Sequence, residues 1–119
     1  MTKTTGKYKL DAAGMVVPCD DLIEWARWFE TADRILEQTE VGGAEVSTVF
    51  LSFDHEWRTG KPLLWETLVF GGPMDGTMFR YETRVQAKRG HDEMVANVRK
   101  AMMLAEPQPG DRQIQLEDE

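Results

Sequence analysis

VSTVFLSFDHEWRTGKPLLWETLVFGG, residues 46–72, decides the fold. Val46–Phe53 is rich in β-branched and aromatic residues and alternates only weakly. Leu63–Phe70 has the same character. Both faces of each run are fairly apolar, which predicts strands in the middle of a sheet rather than at its edge. Between them lie the charged tripeptide Asp54-His55-Glu56 and the turn formers Gly60 and Pro62. Two strands joined by a loop that carries the most concentrated chemistry in the chain is the reading that organises the rest.

Working outward, Gly42-Gly43 is a permissive hairpin loop, so Arg34–Val41 can pair with Glu45–Phe53. On the other side, Gly71-Gly72-Pro73-Met74-Asp75-Gly76 is dense in turn residues and leads into a short strand, Met78–Glu82. Four antiparallel strands in meander order are the simplest arrangement. Two helices flank them. Asp21, with Glu24 three residues on, marks the start of the first, whose apolar stripe is Leu22, Trp25, Phe29, Ala32 and Leu36. That helix ends near Thr31 or runs on to about Gln38; the early stop is favoured because it frees Arg34–Val41 for the hairpin. Thr83-Arg84-Val85-Gln86 is a second capping box. It opens a helix with Ala87, His91, Met94, Val95, Val98, Ala101, Met102 and Ala105 on one stripe. Gly90 costs that helix about 1 kcal/mol relative to alanine. Either another backbone or a ligand approaches closely there, or the helix tolerates the loss. Tyr8–Val17 reads as a small N-terminal hairpin around Ala13-Gly14. The fold class is α+β: one domain over residues 1–106, with an antiparallel sheet and two helices on one face, then an acidic tail over residues 107–119.

A chain of 119 residues suffices for one core and is too short for two ordinary ones. Its 14 basic residues are scattered and outnumbered by 21 acidic ones, net charge −7, which disfavours direct DNA or RNA binding. An acidic surface can meet a basic protein surface or imitate nucleic acid; the plainer reading is that it maintains solubility. The single cysteine, Cys19, permits no internal disulfide, as suits a reducing cytoplasm. Residues 1–10 lack the apolar region of a secretory signal, and no apolar run approaches a membrane span. The expectation is a cytoplasmic protein with no cofactor. Two weakly alternating strands also predict apolar surface beyond what two helices cover, and hence a homo-oligomer.

Four polar residues form the candidate functional cluster: Asp54, His55, Glu66 and His91. Imidazole with carboxylate can hold a divalent metal or act as a general acid and base. No HExxH, Cys-x-x-Cys or nucleophile elbow accompanies them. His91, on an apolar helix stripe, reads first as a satisfied core residue, and His55 as a residue that orders its loop. Glu66 has two alternatives. If Leu64, Glu66, Leu68 and Phe70 face the helices, its carboxylate is buried and must be paired, with His55, His91 or Arg80 as candidates. If Trp65, Thr67 and Val69 face them, Glu66 looks outward. Among four tryptophans, Trp28 falls off the first helix's stripe and Trp57 lies in the loop; both are candidate interface anchors, with packing onto the sheet edge as the plainer role for Trp57.

The segments WARWFETADR (25–34), VSTVFLSFDHEW (46–57), PLLWETLVFGGPMDG (62–76), and RYET before a helix with Gly90-His91 together resemble a group of small proteins of unknown function. These are encoded by phages, prophages and bacteria, especially actinobacteria. The resemblance spans roughly residues 15–98. Ser52 stands where that group usually has glycine, Lys61 where proline is usual, and Trp65 where phenylalanine is usual. The resemblance implies a phage-associated accessory protein and assigns no activity. With the acidity and the tryptophans, it leads to an expected non-catalytic binding protein whose partner is a host or phage protein, such as a blocked defence factor. The alternatives are a small-molecule or nucleotide binder, and a metal-dependent hydrolase using His55, Glu66 and His91.

Overall fold

Gly42 and Gly43 close the hairpin that founds the sheet. Only Gly42 of the two is left-handed, at φ 59°, as a two-residue loop beginning with glycine requires. In this computed structural model, residues 6–53 and 61–105 are described. Strands β3 (Ile35–Val41), β4 (Ala44–Phe50), β5 (Trp65–Phe70) and β6 (Met78–Tyr81) form an antiparallel sheet in meander order. An N-terminal pair, β1 (Tyr8–Leu10) and β2 (Val16–Pro18), forms a separate two-stranded sheet. Helices α1 (Leu22–Thr31) and α2 (Arg84–Ala105) complete the α+β domain.

The caps fix the helix starts. Asp21 accepts hydrogen bonds from the amides of Ile23 and Glu24, both at 3.0 Å. Glu24 turns away from the cap to meet Lys9 Nζ at 2.5 Å. At α2 the reciprocal box is complete: Gln86 N donates to Thr83 Oγ1, and Gln86 Oε1 accepts from the Thr83 amide. The first helix stops early, with Ala32 extended (φ −74°, ψ 141°). Asp33 then accepts from the amide of Ile35 at 3.1 Å and starts the strand.

Register sorts the side chains. Val46, Thr48 and Phe50 of β4 lie opposite Val69, Thr67 and Trp65 of β5, and all six are buried. This is the face that α2 covers, through Ala87, His91, Met94, Val95 and Val98. One core cluster joins Val41, Ala44, Val46, Val69, Met94, Val95 and Val98. The other, nearer the start of α2, joins Phe50, Leu64, Trp65 and Ala87, and Tyr8, Leu10, Val16, Trp28, Leu36 and Tyr81 pack around it. Burying each large apolar side chain stabilises the fold by about 1.5–3 kcal/mol.

Helix α1 buries no residue completely. It packs on β1 and reaches the main sheet by setting Trp28 edge-on against Phe50, with ring centroids 6.0 Å apart. Of the stripe read from the sequence, Trp25, Phe29, Ala32 and Leu36 are half-buried. Leu22 is exposed, whereas Trp28, expected off the core and assigned to an interface, is half-buried within it.

A register shift at Ile35/Glu37 marks a bulge in β3. It sends two successive side chains to the α2 side. Leu36 joins the Phe50 cluster, and Glu37 receives a hydrogen bond from Lys88 Nζ at 2.6 Å.

Candidate functional site

Of the four clustered candidates, Asp54 and His55 lie outside the described residues, as does Trp57. Glu66 and His91 do not converge. Glu66 belongs to the face opposite α2, because its neighbours Trp65 and Thr67 take the covered side. Its cross-strand partner Arg80 donates through Nε to Glu66 Oε2 at 3.0 Å. The expected cluster of Glu66 with His91 is thus corrected: the pleat of β5 places one sheet thickness between them. A hydrolase site shared by these two groups is not assembled.

His91 is fully buried and fully satisfied. Thr39 Oγ1 stands 2.8 Å from Nε2, and Thr48 Oγ1 stands 2.7 Å from Nδ1. Thr48 Oγ1 is in turn 2.6 Å from Thr67 Oγ1. A neutral imidazole has one donor and one acceptor nitrogen, and each hydroxyl can give or receive. The chain Thr39–His91–Thr48–Thr67 is therefore complete with the imidazole in either tautomer. Burial pushes the His91 pKa below the ordinary histidine value; Glu37, 4.0 Å from Nε2, and Asp92 oppose this, and Lys88 adds to it. Thr48, Thr67 and His91 have no solvent access, so no reagent reaches them. The network joins β3, β4, β5 and α2. The sequence marked His91 as a core residue but missed its threonines. Their signal was available, since Thr48 and Thr67 are direct cross-strand partners once the two strands are registered.

Among the described residues, no group of three or more His, Cys, Asp or Glu is placed to hold a metal ion. Cys19 is buried, and burial pushes its thiol pKa up, away from the reactive thiolate.

Two concavities border β3 and the start of α2. A cleft of about 450 Å³ is lined by Leu36, Glu37, Arg84, Val85 and Lys88. A smaller one, about 140 Å³, shares Leu36 and Arg84 and adds Arg34, Asp33 and the Trp65 ring among its walls. Lys88 is engaged with Glu37 and Asp92, and Arg34 donates to the Phe50 carbonyl. Arg84 makes no ion pair among the described residues.

The second face of the sheet is different in kind. Helix α2 packs on one side of β3–β6, and neither α1 nor the N-terminal hairpin crosses to the other. The open side presents Ile35, Val49, Leu68, Phe70 and Met78, together with Gln38, Glu40, Glu45, Ser47 and the Glu66–Arg80 pair. Ile35, Phe70 and Met78 are 49%, 49% and 46% exposed, which is high for large apolar side chains on a regular sheet. No described helix is long and apolar enough to cross a membrane. The chain matches no protein-family model, no curated protein and no solved structure.

Proposed function

We propose that the chain is a non-catalytic binding protein whose open sheet face recognises another protein. The observation that carries this reading is the five apolar residues of that face, on four hydrogen-bonded strands, with no described element packed over them. Contiguous apolar surface rimmed by charges is the usual form of a protein-recognition patch. The resemblance to phage- and prophage-encoded proteins supports a partner in the bacterial cytoplasm, and the role proposed there is that of an accessory protein that blocks a host factor, such as a defence protein.

Capture from host lysate tests this, with the wild-type chain compared against Phe70→Lys. Proteins retained by the wild type and reduced at least tenfold by the variant, at equal melting temperature, support it. Identical recovery by both chains counts against it.

The cleft beside Arg84 favours a second reading, a small anionic ligand such as a nucleotide. A thermal shift produced by a nucleotide in the wild type and lost in Arg84→Ala supports that reading; no shift with any nucleotide removes it.

A further inference from the structure

We propose that the two concavities beside Arg84 form one site for a small organic monocarboxylate, whose carboxylate stands between the Arg84 guanidinium and the Trp65 indole N–H and whose hydrocarbon body lies in the larger cleft. This rests on the second reading above, that the cleft beside Arg84 takes a small anion, and names the class of that anion.

Trp65 is 2% exposed, and its Nε1 has no hydrogen-bond partner among the described residues. Buried polar atoms in folded proteins are nearly always bonded. The indole N–H donates and does not accept, so what it lacks is an acceptor. Trp65 forms part of the wall of the smaller concavity. At about 140 Å³ that space far exceeds the room that one water needs, so a larger acceptor group fits there.

Arg84 brings a cation to the same space. Gly14 lines it too, and a β-carbon built on Gly14 would stand 3.5 Å from Arg84 Nη1. The guanidinium therefore reaches from the start of α2 to the turn between β1 and β2, across the concavity that Trp65 borders. Arg84 and Leu36 also line the larger cleft, which makes the two spaces neighbours.

The charges in the walls select a monoanion. Three cations stand there, Arg34, Arg84 and Lys88, with the carboxylates of Asp33 and Glu37. Lys88 is held by Glu37 and Asp92. Arg34 donates to the Phe50 carbonyl, and its guanidinium lies 4.2 Å over the Phe29 ring. Arg84 makes no such contact among the described residues. A phosphate dianion or a polyphosphate would face Asp33 and Glu37 with one uncommitted cation to hold it. One carboxylate matches one guanidinium, in the planar fork that favours this pair. Leu36 and the exposed Val85 then offer apolar wall to the rest of the ligand in the cleft of about 450 Å³, an ordinary size for a small-molecule site.

The test uses the full chain and follows the Trp65 indole N–H in proton–nitrogen correlation spectra, assigned through its own backbone signals. The probes are octanoate and phenylacetate, each titrated to about 10 mM, the range of weak small-ligand binding. At least one is expected to move the Trp65 indole signal saturably, and phenylacetamide, which lacks the charge, to leave it in place. Arg84 is exposed, so Arg84→Gln keeps the fold, and it is expected to weaken binding at least tenfold. A Trp65 signal unmoved by either carboxylate overturns the proposal. So does an equal response to phenylacetamide, or unchanged affinity in Arg84→Gln. If adenosine monophosphate moves the signal through Arg84 while both carboxylates leave it unmoved, the small-anion reading stands and the monocarboxylate falls. Silence with all three anions removes both.

Discussion

The ring of Tyr81 lies directly on Gly90 of α2. A β-carbon added at Gly90 would collide with the Tyr81 hydroxyl and ring edge. The glycine is thus the notch that admits the last residue of β6 beneath the second helix.

The first prediction follows from that contact. Alanine would ordinarily strengthen a helix interior by about 1 kcal/mol. Here Gly90→Ala must displace a ring packed against the Phe50–Trp65 cluster. It is expected to destabilise the protein by about 1–3 kcal/mol, the usual cost of overpacking. Urea denaturation checks this, and Gly90→Ala combined with Tyr81→Ala is expected to cost less than the sum of the two single changes.

His91 makes stability depend on acid. Its folded-state pKa lies below that of the unfolded chain because burial disfavours the charged ring. The unfolded state therefore takes up the proton first, and stability falls as pH drops below about 6.5 towards the folded-state value. Urea midpoints at pH 7.5 and pH 5.5 are expected to differ more for the wild type than for His91→Gln. An equal difference in both proteins would show that His91 is not the titrating group.

Removing Thr48 should break the relay without opening a cavity. Thr48→Val keeps the shape but leaves Thr67 Oγ1 and His91 Nδ1 without their shared partner. The expected loss is about 1–3 kcal/mol, the desolvation cost of buried polar groups left unsatisfied. Thermal melting with a double-mutant cycle on Thr67→Val measures it, and the two changes are expected to be non-additive.

Ser52 is held in the left-handed region at φ 63°, is fully buried, and its hydroxyl has no hydrogen-bond partner among the described residues. Ser52→Gly removes both penalties and adds some unfolded-state entropy. The net expectation is a gain of about 1 kcal/mol, read as a rise in melting temperature.

The fold was legible wherever local chemistry decided it. Gly42-Gly43, the Thr83–Gln86 box and Asp21 each act within a few residues, and hairpin, helix starts and meander order followed from them. The site was not legible, because the face to which Glu66 belongs depends on where α2 lies. Both faces of β5 carry apolar residues, so alternation alone left the two cases open. Only the packing of Ala87, His91 and Val98 over Thr67 and Val69 turns Glu66 outward to Arg80. The bulge in β3, which aims both Leu36 and Glu37 at α2, leaves no mark in the local sequence pattern. Trp28 lies outside the stripe that helical periodicity predicts, yet it is the α1 residue that packs against Phe50.

The most direct test of the recognition face is a nuclear magnetic resonance titration of the full chain with a protein that it captures from host lysate. The account predicts concentration-dependent shifts at Ile35, Leu68, Phe70 and Met78, and unchanged signals at Arg89, Asn97 and Lys100 on the outer side of α2. Shifts confined to α2, with the sheet face silent up to millimolar protein, would contradict it.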